Sequence, residues 1–148
     1  MTEVRFYHLT RKRLEEALPE LLEKVMKQGQ RAVVMAASSE RVEALTRHLW
    51  TYRENSFLPH GSAADGFAKD QPIWLTEREE NPNGAKILFL TDGAAAASFQ
   101  SFDLVCEIFE ESNPQAVEAA RGRWQQYKTA NHALTYWQQG EKGWEKKA

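Results

Sequence analysis

Two short runs, RAVVMA (residues 31–36) and KILFLT (86–91), are apolar at almost every position rather than at every second one. Successive side chains of a strand point to opposite faces, so a strand with one wet face alternates, and an unbroken apolar run marks a strand covered on both faces. Covering both faces takes a helix layer on each side of a mostly parallel or mixed sheet. Further β-rich runs stand at VRFYHL (4–9), PIWL (72–75) and FDLVCEIF (102–109), with helical patterns between them. The order reads β, α, β, α, β, β, α or turn, β, α, and the expected fold is a three-layer α/β/α domain. At 148 residues the chain has the size of one domain with one core, spanning 1–148.

The helices carry their own start and stop signals. Leu14, Leu18, Leu21, Leu22 and Val25 keep helical spacing, with Thr10 placed to cap the helix and Gly29 to stop it. Pro19 lies inside that span, so the helix either kinks there or begins near it, since proline is tolerated in a first turn and disruptive later. Ser38 or Ser39 caps a second helix with the stripe Val42, Leu45 and Leu49, and Asn113 followed by Pro114 opens a third that runs to about Ala130. Residues 53–70 and the stretch TEREENPNGAK are rich in Gly, Pro, Asn and Asp and read as long surface loops. Residues 131–148 hold Tyr136, Trp137 and Trp144 but show little periodicity. That tail is too aromatic for solvated disorder, so part of it is expected to pack back on the domain.

Charge and cysteine content narrow the functional classes. A net charge of -2 and a pI near 6.1 give the whole surface no attraction for a phosphate backbone, which argues against strong direct nucleic-acid binding through Arg121, Arg123 and Lys128. Cys106 is the sole cysteine, which removes an intrachain disulfide and the usual zinc frameworks, so no metal is expected. The N-terminal MTEVRFYHLTRKRLEEAL lacks a long apolar core and no run approaches membrane-spanning length. The expectation is a cytoplasmic protein with no membrane association.

One stripe of the third helix stands out: Val117, Arg121, Trp124 and Lys128 fall at i, i+4, i+7 and i+11, on one face for three turns. A core face would carry Leu or Ile where Arg121 and Lys128 stand, because a buried unpaired cation is too costly. An indole between cations suits a short peptide that ends in a large apolar side chain and a carboxylate. The alternative is that Trp124 is core and the two cations snorkel past it to solvent. Asp103, Glu107, Glu110 and Glu111 precede the helix and can pair with its cations instead.

A second aromatic group, Trp50 at a helix end with Phe57 in the loop beyond, fits either a partner-binding patch or a staple that holds the loop to the core. Signals for catalysis are weak. LTDGAAAAS, with Asp92 and Gly93, has the strand-to-turn form that can cradle a phosphate, but no GxGxxG or GxxxxGK[ST] is present and a short buried connection explains it better. A nucleotide-binding enzyme or sensor remains the competing class, with no cofactor as the first expectation. His60, Asp65 and Asp70 share a loop without metal-ligand spacing, and Cys106 sits in an apolar strand where a thiol is inert. No catalytic residues are assigned.

With these residues in view, the chain resembles the chi subunit family of bacterial DNA polymerase III, in VRFYHL, RAVVMA and the following helix, LWTYRENSFLPHG, PIWLT, KILFLTDG, FDLVCEIFE and AARGRWQQYK, in the family's order. The most specific portions are LWTYRENSFLPH and ARGRWQQYK, and LTYWQQ with GWEKKA resembles the alphaproteobacterial form. The resemblance implies a Rossmann-like domain without catalytic activity, an adaptor in the clamp-loader complex. One surface then grips the acidic, Phe-ending C-terminal tail of single-stranded DNA-binding protein through Arg121, Trp124 and Lys128, with Val117 and Phe109 as apolar neighbours. Val117 departs from the basic residue of some relatives and leaves one cation fewer. A second surface, at Trp50 and Phe57, binds the psi subunit or a replacement.

Overall fold

The computed structural model describes residues 2–51, 59–94, 101–141 and 143–148. In chain order the elements are β1 (Glu3–Leu9), α1 (Leu14–Lys27), β2 (Ala32–Met35), α2 (Ser39–Thr51), β3 (Gly61–Ser62), a single helical turn at Ala68–Asp70, β4 (Ile73–Thr76), β5 (Ile87–Leu90), β6 (Leu104–Glu110), α3 (Pro114–Thr129), β7 (Ala133–Gly140) and β8 (Gly143–Lys146). They build an eight-stranded sheet in the order β3-β4-β2-β5-β6-β1-β7-β8. Every pairing is parallel except β7 with β8.

The continuous apolar runs behave as their composition requires: all four residues of β2 and of β5 are buried, and they are neighbours in mid-sheet. Alternate side chains feed two cores. Tyr7, Val34, Leu75, Phe89 and Ile108 pack under Leu18, Leu22 and Leu45 of α1 and α2. Val4, Phe6, Val33, Leu88, Val105 and Phe109 face the other way with Ala120 and Tyr127 of α3. The arrangement is three-layered, with α1 and α2 on one side and α3 on the other. Among the described residues no helix is long and apolar enough to cross a membrane.

Pro19 neither starts nor ends α1; it sits in the second turn of a continuous helix. A proline there has no N–H to give the carbonyl four residues back, which belongs to Glu15. The His48 ring of α2 occupies that place, donating from Nε2 to the Glu15 oxygen at 2.5 Å. The vacancy left by proline is thus filled by the neighbouring helix, which ties α1 to α2.

Thr10 is not the cap. The hydroxyl of Thr10 donates to the Gln139 carbonyl, and the Arg11 and Lys12 amides donate to the Gln139 side chain, each at 2.9 Å for the amides. The segment after β1 is therefore strapped to β7, and the helix starts later, from Arg13, whose amide donates to the Glu16 carboxylate. Gly29 does end the region, at φ +69°, a left-handed value that favours glycine. Ser38, rather than Ser39, caps α2 by accepting from the Arg41 amide, and Asn113 caps α3 by accepting from the Ala116 amide.

The largest departure is the tail, which does more than pack back: it extends the sheet by two strands. β7 runs parallel to β1 with Phe6 opposite Tyr136, and β8 closes antiparallel on β7. Its side chains do alternate, Leu134 and Tyr136 toward α3 and Trp137 toward the α1 and α2 side, where Trp144 meets Tyr7 edge-on at 4.8 Å. Both faces are half covered by aromatic rings, so the apolar and polar alternation that marks a one-sided strand never appears in LTYWQQ. Within the stretch read as a loop, β3 and the short helical turn also form, the former pairing with β4.

Candidate functional site

The site is organised by a buried charge. Glu107, in the middle of β6 and only 2% exposed, faces α3. Its carboxylate accepts from Arg123 Nε at 2.9 Å and from the Tyr127 hydroxyl at 2.7 Å. Burial pushes the Glu107 carboxyl above the usual carboxylate range, with the Arg123 guanidinium and the Tyr127 hydroxyl acting against that. Arg123 and Tyr127 are four residues apart, so two successive turns of α3 are fastened to one carboxylate and the helix cannot roll.

With α3 fixed, the neighbouring stripe is presented sideways. Val117, Arg121 and Trp124 of α3, Phe6 of β1, Phe109 of β6 and Tyr136 of β7 wall a pocket of about 400 Å³. Its rings stand mostly edge to face: Phe6 with Trp124 at 5.3 Å and 71°, Trp124 with Tyr136 at 6.2 Å and 82°. Such packing holds rings in defined orientations. Trp124 is half-buried, so it serves the core and the pocket together.

Arg121 is exposed at the pocket wall and has no hydrogen bond or ion pair among the described residues. Three of the four acids that precede α3 have contacts elsewhere: Glu107 with Arg123, Glu110 with the Leu14 amide, and Glu111 at 3.2 Å from His8 Nε2. Lys128 is exposed and is not part of the pocket wall. The expected stripe is therefore divided, with Val117, Arg121 and Trp124 converging on Phe109 and Lys128 standing apart.

Behind the pocket lies His8, 7% exposed, stacked on Phe109 at 4.7 Å and 22°. Its Nδ1 meets the Tyr136 hydroxyl. Burial lowers the His8 pKa, Glu111 opposes this and Arg121 adds to it, so the ring is neutral at neutral pH. The Glu111 carboxylate beside Nε2 favours the ring proton there, which leaves Nδ1 to accept a hydrogen bond from the Tyr136 hydroxyl. Sequence reasoning passed over Phe6, His8 and Tyr136. The one signal available was the spacing of Phe6 and His8, two apart on β1 and so on one face.

The other candidates fall into place individually. Asp92, at φ +55°, directs its carboxylate to Arg41, with Nε to Oδ2 at 2.8 Å, and Arg41 also reaches Glu15 at 3.1 Å. An acid already gripped by a guanidinium is a poor start for a phosphate cradle. Asp65 accepts from the Ser62 amide and hydroxyl, as a turn former does, and His60 contacts the Thr46 carbonyl at 3.0 Å. Among the described residues no three His, Cys, Asp or Glu side chains come together as metal ligands. The Cys106 thiol is buried and pushed up to about 12. Trp50 is 48% exposed, its ring 4.3 Å from His60, at a cleft of about 630 Å³ beside β3 and β4. That cleft is at the opposite end of the strand order from the α3 pocket. Phe57 lies outside the described residues.

Residues 1–135 match the sequence profile of DNA polymerase III chi subunit, HolC. The chain belongs to that family. A chi relative from Rickettsia prowazekii (strain Madrid E), named "Probable DNA polymerase III subunit chi", is 32% identical over 90 residues, covering 61% of this chain. The match takes in about half of that relative, 54% of its length. The match to the chi profile ends one residue short of Tyr136, so the fourth aromatic wall and all of β8 lie past the matched residues.

Proposed function

We propose that this chi-family protein is a non-catalytic adaptor of the replicative polymerase's clamp-loader complex, and that the α3 pocket receives the acidic, Phe-ending C-terminal tail of single-stranded DNA-binding protein. The terminal ring enters among Phe109, Val117 and Trp124, and the terminal carboxylate meets Arg121. The observation that carries this reading is a guanidinium with no partner among the described residues at the wall of a ring-lined pocket of about 400 Å³. A guanidinium fork takes a carboxylate with two parallel hydrogen bonds, which a lysine cannot do. Lys128, beyond the wall, is placed to attract the acidic residues upstream of the tail's end.

The second surface, around Trp50, to which the sequence reading adds Phe57, takes the psi subunit or a replacement. The adaptor then joins polymerase to coated single strands in the cytoplasm, and several tails on one oligomeric DNA-binding protein raise the effective concentration at the pocket.

Isothermal titration with a synthetic tail peptide tests the pocket. Arg121→Ala is expected to weaken binding by about tenfold or more and Lys128→Ala by about twofold, with affinity falling as salt rises. Equal binding by wild type and Arg121→Ala excludes the carboxylate grip.

A further inference from the structure

Tyr136 is the one pocket wall contributed by β7, and its position is held from three directions. On one side Phe6 is its partner across the β1 pairing. On the other, the Lys147 amide donates to the Tyr136 carbonyl at 2.8 Å and the Tyr136 amide donates to the Ala148 carbonyl at 3.3 Å. At the far end its hydroxyl meets Nδ1 of His8, a ring itself pinned against Phe109 and placed 3.2 Å from the Glu111 carboxylate at Nε2. A phenol gripped at both backbone and hydroxyl does not swing aside to enlarge the pocket.

We propose that Tyr136, latched by His8, is the residue that sets which side chain the pocket accepts, selecting a terminal aromatic ring over an aliphatic one of similar bulk. The proposal rests on the tail-binding reading above. Two features of Tyr136 act together. Its ring stands edge-on to Trp124 (6.2 Å, 82°) and tilted to Phe109 (6.3 Å, 53°), so the space between them is bounded by ring faces and edges. A phenyl group meets such walls with its own positive edge on a negative face, whereas a branched aliphatic group meets them by dispersion alone. The hydroxyl proton is committed to His8, so the oxygen turns only lone pairs toward other groups. Lone pairs repel a carboxylate, which directs the ligand's charged end to Arg121 and its ring into the box.

Tyr136 positions and selects rather than binds the charge, so its signature is a ratio of affinities. The experiment is titration of wild type, Tyr136→Phe, Tyr136→Leu and Tyr136→Ala with two tail peptides, identical but for a terminal Phe or a terminal Leu. Thermal melts of each variant are recorded alongside. Wild type is expected to favour the Phe-ending peptide by about tenfold. Tyr136→Phe keeps the ring but loses the latch and the lone pairs, so it retains part of that preference, while Tyr136→Leu and Tyr136→Ala bring the two peptides within about twofold of each other. Tyr136→Leu keeps an apolar side chain on the strand, so it reports even where the alanine variant is too unstable to assay.

A residue that merely supported the fold would lower both affinities by one factor. An unchanged Phe-to-Leu ratio in Tyr136→Leu therefore overturns the proposal while leaving the tail-binding reading intact. Binding of neither peptide by folded wild type overturns both.

Discussion

Arg123→Ala is the perturbation whose cost follows most directly from the structure. It removes the cation that faces a carboxylate with 2% exposure and leaves Glu107 hydrogen-bonded only to Tyr127. Breaking a buried pair by deleting one partner costs about 3–5 kcal/mol, because the remaining charge is uncompensated; the whole stability of a domain is only about 5–15 kcal/mol. The sign of the pH dependence can be worked out. The Glu107 pKa is raised in the fold from its ordinary 4.5, so between those two values the native state binds more protons than the unfolded one. Stability from this group is then greatest at low pH and falls as pH rises through the native value. Deleting Arg123 raises that value further, so the deficit of Arg123→Ala is largest at neutral pH and shrinks on mild acidification. Urea unfolding followed by tryptophan fluorescence at the two pH values measures it. Adding Glu107→Gln to Arg123→Ala removes the orphan charge and is expected to recover part of the loss at neutral pH. A cost under about 1 kcal/mol, the same at both pH values, is what a solvated surface pair gives, and it would refute the buried-bolt account of how α3 is held.

Two further outcomes follow from the packing. Cys106, with its thiol pushed up to about 12 by burial, is expected to resist a thiol-labelling reagent at neutral pH until urea unfolds the protein; prompt labelling of the native chain contradicts its placement. His48→Ala leaves the Glu15 carbonyl without a donor and is expected to cost about 1–3 kcal/mol in thermal melts, whereas His48→Ala combined with Pro19→Ala recovers stability because residue 19 regains the missing N–H. Failure of that recovery removes the account of how α1 tolerates its proline.

The sheet's centre was legible in the sequence because burial on both faces leaves no choice of residue: RAVVMA and KILFLT had to be interior strands, and β2 and β5 are. The α3 stripe was legible for a related reason, since helical spacing alone puts Val117, Arg121 and Trp124 on one face. Local spacing does not say what stands opposite. Lys128 shares the stripe but not the pocket wall, because the wall extends only as far as the strand residues facing it. Pro19 in mid-helix was ambiguous because its remedy, His48, lies 29 residues away on α2.

What the sequence alone determined is the layered architecture and the one helical face that carries an indole and a guanidinium, both consequences of periodicity within a segment. What only tertiary structure decided is which charges are spoken for and which are not. Arg123, two residues along from Arg121, is drawn onto buried Glu107, while Arg121 faces a cavity whose other walls come from β1, β6 and β7. The tail's two strands belong to the same category. Hydrogen bonding and burial between segments distant in the chain depend on register across the sheet, and no pattern within either segment encodes that pairing.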